Sequence, residues 1–206
     1  MLFRSRKACE DAARLAGLPG VGAFRMAVNL SARQFSDEKL IELVSSTLTR
    51  YQLDPALLEL EITESFIMHN AAHAARVLAQ LKDMGVHVAM DDFGTGYSSL
   101  ACLKRFPIDA IKIDRSFIQG LPADADDATL TKAIIAMVHS LRLRIVAEGV
   151  ETREQVEFLS RHGCDEIQGY YFSQPLAIDA LVQLLRERRT RGPLPVVRPP
   201  SVAVWP

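Results

Sequence analysis

Cysteine is scarce here: Cys9, Cys102 and Cys164 are odd in number and far apart in 206 residues. That pattern excludes a disulfide framework or a zinc knuckle and fits a reducing compartment. Excess charge is missing too. A net charge of −1 gives no global footprint for nucleic acid or a membrane surface. No apolar run approaches the roughly 18 to 20 residues of a membrane span. Met1 to Lys7 leads into no apolar core of the kind a secretory signal needs. His69 and His73 stand four apart, but no acid between them completes a metalloprotease pattern. There is no internal repeat. What is left is a chain 49% hydrophobic and 24% charged, ordinary for one globular domain with a sizeable core. The expected location is the cytoplasm.

Short apolar, β-branched segments alternate with longer stretches of helical spacing. The strand candidates are Arg25 to Leu30, Leu57 to Thr63, His87 to Asp91, Ala110 to Asp114, Arg144 to Glu148 and Glu166 to Phe172. Amphipathic helices are expected over Ser36 to Tyr51, Ala71 to Met84, Ala128 to Leu141 and Thr152 to His162. Ser36 and Thr152 are the expected caps, and Gly85 and Gly163 the expected helix ends. Strand alternating with helix predicts a parallel sheet with right-handed crossovers. From Arg186 the composition changes to four arginines and then five prolines up to Pro206. Residues 186–206 are expected to form a basic, proline-rich, disordered tail, leaving 1–185 as the domain.

Polar residues close each strand: Asn29, Glu61, Asp91 with Asp92, Lys112, Glu148 and Gln168, at intervals of 20 to 36 residues. A (β/α)8 barrel of about 250 residues averages roughly 31 per unit and carries its chemistry at the C-terminal strand ends. Alternation then assigns directions. Leu58, Leu60 and Ile62 share the face that packs on helices, so Glu61 points to the barrel axis. Asn29 lies opposite Val28 and Leu30, and Lys112 opposite Ile111 and Ile113. Asp91 joins them, while Asp92 turns into the loop.

The run Asp91-Asp92-Phe93-Gly94-Thr95-Gly96-Tyr97-Ser98-Ser99-Leu100 is the most specific stretch. Adjacent carboxylates at the end of a buried strand need a positive partner. All-oxygen ligands select hard cations such as Mg²⁺, Mn²⁺ or Ca²⁺. A metal pair could clamp a phosphodiester, with Lys112 orienting a water or neutralising charge. Each residue alone has a plainer reading. A strand-end carboxylate can cap the next helix. Asn29 can be a turn residue, Gly94-x-Gly96 a simple loop, and Lys112 an ion-pair partner of Asp91.

Taken together, Asn29-Leu30-Ser31, Glu61-Ile62-Thr63-Glu64, the Asp91 to Leu100 loop, Lys112-Ile113-Asp114, Glu148-Gly149-Val150-Glu151 and Gln168-Gly169-Tyr170 closely resemble the EAL-domain family of cyclic di-GMP phosphodiesterases. The resemblance covers about Arg6 to Leu185. It implies a modified TIM barrel that linearises cyclic di-GMP with Mg²⁺ or Mn²⁺. On the matching positions, Asn29, Glu61, Asp91 and Glu148 are similar to metal ligands, with Asp92 serving a second metal. Lys112 resembles the lysine that holds the attacking water, Glu151 a glutamate steadying the loop, and Gln168 a further site residue. The loop Phe93 to Leu100, with Phe93, Gly94, Thr95 and Gly96, resembles the family's mobile element that couples metal occupancy to dimerisation.

One part of the pattern is absent. No Glu-Ala-Leu precedes Asn29, and six strands are counted where eight are needed. The expectation is therefore an incomplete barrel lacking two strands, a metal-binding Glu and a substrate-binding Arg, with weak or no hydrolysis. The expected partners are cyclic di-GMP, a second copy, and an upstream sensor or GGDEF-type domain in a longer protein. The rival reading is a non-catalytic module that binds the nucleotide or a protein. A third is an aldolase using Lys112 as a Schiff base, which requires a neutral lysine.

Overall fold

In the computed structural model, residues 2–19, 21, 24–69, 71–94 and 103–191 are described. Six parallel strands pair strictly in chain order: β1 Met26–Asn29, β2 Leu58–Thr63, β3 His87–Phe93, β4 Ala110–Ile113, β5 Arg144–Ala147 and β6 Glu166–Ile167. The sheet curls so far that Arg25, just before β1, forms an ion pair with Glu166 in β6. This is the incomplete TIM-like barrel expected from the spacing, with six strands among the described residues.

The helices are α1 Leu2–Ala16, α2 Ala32–Phe35, α3 Leu40–Tyr51, α4 Glu64–His69, α5 Ala71–Asp83, α6 Ala125–Ser140, α7 Arg153–Arg161 and α8 Ile178–Arg191. They cover the outer face of the sheet. Leu58, Leu60 and Ile62 of β2, Val88 and Met90 of β3, and Ile111 and Ile113 of β4 are buried there with Leu78, Leu81, Ile135, Val138 and Leu159. Each such side chain contributes about 1.5–3 kcal/mol of transfer free energy. The opposite face lines a lumen of about 550 Å³ walled by Ala27, Glu59, Glu61, Lys112, Val146, Glu166 and Gln168. An apolar cavity of about 450 Å³ lies elsewhere, between α1, α3 and the outer face of β2.

Asp109 ties the bottom of the sheet together. It accepts from the Val88 N–H at 2.8 Å and from Lys82 Nζ at 2.6 and 2.7 Å. Burial pushes its carboxyl up, but Lys82 and the Val88 N–H outweigh that and hold it below the usual carboxylate range.

Several boundaries differ from the sequence reading. Ser36 does not cap α3. A Ser31–Gln34 capping box nucleates the short α2 first, and Ser36 is that helix's C-cap, so α3 begins at Leu40 behind Lys39. α6 starts three residues early because Asp124 accepts the N–H groups of Asp126 and Asp127. β6 stops at Ile167 instead of reaching Phe172, because Val150 takes over the pairing. β3 runs on through Asp92 and Phe93 across a register shift. Thr152 caps α7 with Gln155 as expected. α8 is helical through Arg191, so Arg186, Arg188, Arg189 and Arg191 belong to it. The rest of the expected tail, 192–206, lies outside the described residues.

Candidate active site

Parallel pairing in chain order puts every strand's C-terminal end at one mouth of the lumen. The register sets Asn29 beside Glu61, and Glu61 beside Ala89. Lys112 lies beside Val146. Two-residue alternation then delivers Glu61, Asp91, Lys112 and Glu148 to the same point. The Lys112 ammonium lies 2.6 Å from Glu61 Oε1, 2.5 Å from Glu148 Oε1 and 3.5 Å from Asp91 Oδ1. Lys112, Glu61 and Asp91 are 3%, 5% and 8% exposed. This is one buried cation among three acids.

The electrostatics follow from that count. Burial works against the ammonium, but Glu61, Glu148 and Asp91 outweigh it and hold Lys112 above the ordinary lysine range. The amine therefore stays protonated, and the Schiff-base reading loses its nucleophile. Burial raises Glu61 and Glu148 despite the attraction of Lys112, with Asp91 adding to both. Asp92 is raised by burial, then by Asp91 and Asp114. The mouth holds more negative charge than its single lysine neutralises.

Phe93 is buried in the core beside Ile113, so its ring packs the sheet. Gly94 has φ +98°, and a Cβ there would stand 2.7 Å from the Phe117 ring, so glycine alone fits the turn. Thr95 and Gly96 lie outside the described residues. Gln168 donates its N–H to Ala147, and its side chain reaches the lumen. Glu151 is exposed, with its N–H donating to Gln155 Oε1 at 2.8 Å.

One acid was not singled out from the sequence. Glu64, 1% exposed, accepts the Gly94 N–H at 2.9 Å and so pins the start of the loop. It sits past the end of β2, in the first turn of α4, where strand alternation no longer tells direction. Glu64→Ala is expected to leave the fold intact but to free the turn after Asp92. Amide exchange over residues 91–94 should then speed up about 10-fold or more, which hydrogen exchange read by mass spectrometry on the purified variant measures.

Among the described residues, no three acidic, histidine or cysteine side chains already form a metal cage. The Lys112 ammonium stands where the carboxylates converge. The donor types do fit a hard cation: carboxylate oxygens from Glu61, Asp91 and Glu148 and an amide oxygen from Asn29, with no sulfur or imidazole.

A model of the EAL domain matches residues 2–175. The chain belongs to the EAL domain family. It is 45% identical over 184 residues to cyclic di-GMP phosphodiesterase NbdA of Pseudomonas aeruginosa, covering 89% of this chain and 23% of that one. The structure of PaMucR phosphodiesterase in its c-di-GMP complex superposes with a TM-score of 0.82 at 45% identity, over 87% of this chain and 72% of that chain. The manganese/cy-diGMP complex of Klebsiella pneumoniae BlrP1 matches with a TM-score of 0.76 at 28% identity, over 84% of this chain and 44% of that chain. The EAL domain here spans about a fifth to a quarter of the curated relatives it matches.

Proposed function

We propose that this EAL domain hydrolyses cyclic di-GMP to its linear dinucleotide with Mg²⁺ or Mn²⁺, and that turnover by this chain is weak. The Lys112 ammonium, held by Glu61, Glu148 and Asp91 at the mouth of the lumen, carries the reading. Asn29, Glu61, Asp91 and Glu148 would hold the metal, with Asp92 toward a second. Such a cation, when bound, polarises a phosphodiester and lowers the pKa of a water. Lys112, fixed in its charged form, orients the attacking water and offsets the negative charge that develops at phosphorus. The excess acid charge repels a bare phosphodiester, so substrate enters only with added positive charge.

Weak turnover follows from the open side of the barrel. β1 and β6 have no further strand partner among the described residues, and Asn29 at that edge is exposed. A site open to water loses part of the electrostatic gain that a closed lumen provides. Chromatography of cyclic di-GMP incubated with the chain and Mn²⁺, Mg²⁺ or no metal tests the reading. Slow, metal-dependent appearance of the linear dinucleotide supports it. Turnover equal to that of a closed EAL domain refutes the weak activity, and no product with any metal refutes hydrolysis. Binding without product, seen by calorimetry, favours the non-catalytic module instead. A homodimer, a cytoplasmic setting and a sensor or GGDEF-type partner domain complete the proposal. Among the described residues no helix is long and apolar enough to cross a membrane.

A further inference from the structure

At the end of the lumen opposite the carboxylates, four charged side chains form a closed ring of alternating sign. Arg25 Nε lies 3.6 Å from Glu59 Oε2, and its guanidinium also pairs with Glu166. Arg144 pairs with the same Glu59 carboxylate, and its Nη1 lies 2.7 Å from Glu166 Oε1. Each arginine therefore bridges both glutamates, and each glutamate bridges both arginines. The ring joins the start of β1 to β6, the two strands that end the sheet.

Its placement along the strands is regular. Arg25 shares a face with Asn29, Glu59 with Glu61, Arg144 with Glu148, and Glu166 with Gln168, because each pair is two or four residues apart. At about 3.3 Å of rise per residue, the ring lies roughly 7–13 Å below the mouth. The four strands that carry the ring also carry four residues of the mouth.

We propose that this ring clamps the open sheet, fixing the distance between β1 and β6, and thereby positions Asn29 and Gln168 relative to Glu61 and Glu148. One other described ion pair joins the two ends of the fold, Arg14 of α1 to Asp179 of α8 at 2.7 Å, but both side chains are largely exposed and neither lies on an edge strand. Isolated pairs as exposed as Arg25 and Glu166, 32% and 42%, contribute little by themselves. Here Glu59 is only 7% exposed, both arginines present planar forks to two carboxylates, and four strands share one closed circuit. Arg25, Glu59, Arg144 and Glu166 are positioning residues, since the acids and lysine of the mouth stand between them and any substrate. The positioning role rests on the phosphodiesterase reading of the mouth; the clamp itself does not.

The test uses the whole chain with Arg25→Gln, Glu166→Gln, the double variant and Arg25→Lys. Hydrogen exchange read by mass spectrometry needs no ligand. Arg25→Gln should speed exchange in segments 24–30 and 164–171 about 10-fold or more, while β3 and β4 stay protected. In parallel, kcat/KM should fall about 10-fold, chiefly in kcat. The double variant should fall clearly short of the sum of the two single effects, because both remove the shared Arg25–Glu166 contact. Arg25→Lys keeps the charge and should retain most of both properties. Unchanged exchange at the two edges, or faster exchange throughout the sheet, overturns the clamp. Faster edge exchange with unaltered kcat overturns the positioning role. A wild-type chain without turnover refutes the phosphodiesterase reading, and with it the positioning role, whereas the exchange measurements still decide the clamp.

Discussion

Lys112→Met is expected to abolish measurable turnover and to make stability fall steeply as pH rises. The ammonium is the common partner of Glu61, Glu148 and Asp91 at 2.5–3.5 Å. Removing it leaves three carboxylates buried at one point with no cation. Breaking a buried ion pair from one side costs about 3–5 kcal/mol, and losing one preorganised electrostatic group slows catalysis about 10²- to 10³-fold. The pH dependence has a definite sign. Glu61 and Glu148 already titrate above ordinary glutamate because burial disfavours their charge, and without Lys112 they climb further. A folded-state pKa above the unfolded one means the folded protein binds more protons. That contribution is complete below the ordinary glutamate value near 4.3 and is lost as pH rises through the raised values. Urea unfolding from pH 4 to pH 8 should show it, with a shallower slope in the wild type. Added Mn²⁺ should restore part of the loss at neutral pH, since a ligand of the folded state stabilises it. A flat profile in the variant contradicts this account of the mouth.

Among the described glycines, Gly169→Ala is expected to be the most damaging added methyl group. A Cβ at that position would lie 2.0 Å from Val150 O, 2.3 Å from Val150 N and 2.7 Å from Val150 C. Those are backbone atoms in a paired seam: Val150 N–H donates to Gln168 O at 3.1 Å, and Tyr171 N–H donates to Val150 O at 3.0 Å. Neither side can yield without breaking the seam. The cost is about 3 kcal/mol or more, at the upper end for overpacking. Because the seam locks the loop after Glu148 to the segment after Gln168, turnover should fall with stability. Gly17→Ala is the control. Its nearest neighbours would be 3.7 Å away, so the change should stay within about 1 kcal/mol by urea unfolding.

The strands and the charged mouth were legible in the sequence because both depend on short-range periodicity. Two-residue alternation was enough to send Glu61, Asp91 and Lys112 one way and Leu60, Ile62, Ile111 and Ile113 the other, and the ion pairs of the first set and the core packing of the second agree. Features that depend on chain reversal were not legible. The early end of β6 reflects Gly169 passing the Val150 backbone, a contact nothing near Phe172 announces. The start of α3 moved because the Ser31–Gln34 box outcompeted Ser36. Glu64 stood in the Glu61-Ile62-Thr63-Glu64 motif without a role of its own, because it lies where a strand's phase gives way to a helix's. The ring of Arg25, Glu59, Arg144 and Glu166 joins residues up to 141 positions apart, and only the curl of the sheet brings them together.

The bulge in β3 also bears on how substitutions at the acidic pair should be interpreted. Asp92 has φ +54°, a left-handed conformation that aspartate and asparagine tolerate and that costs other L-residues about 1–2 kcal/mol. Alanine scanning at this position removes a charge and a backbone preference at the same time. A loss seen in Asp92→Ala would mix the two, whereas Asp92→Asn keeps the conformation and changes only the charge. Glycine keeps the conformation and deletes the side chain. The difference between Asn and Gly at position 92 therefore reports the side chain's chemistry, and the difference between Gly and Ala reports the conformational cost of the bulge.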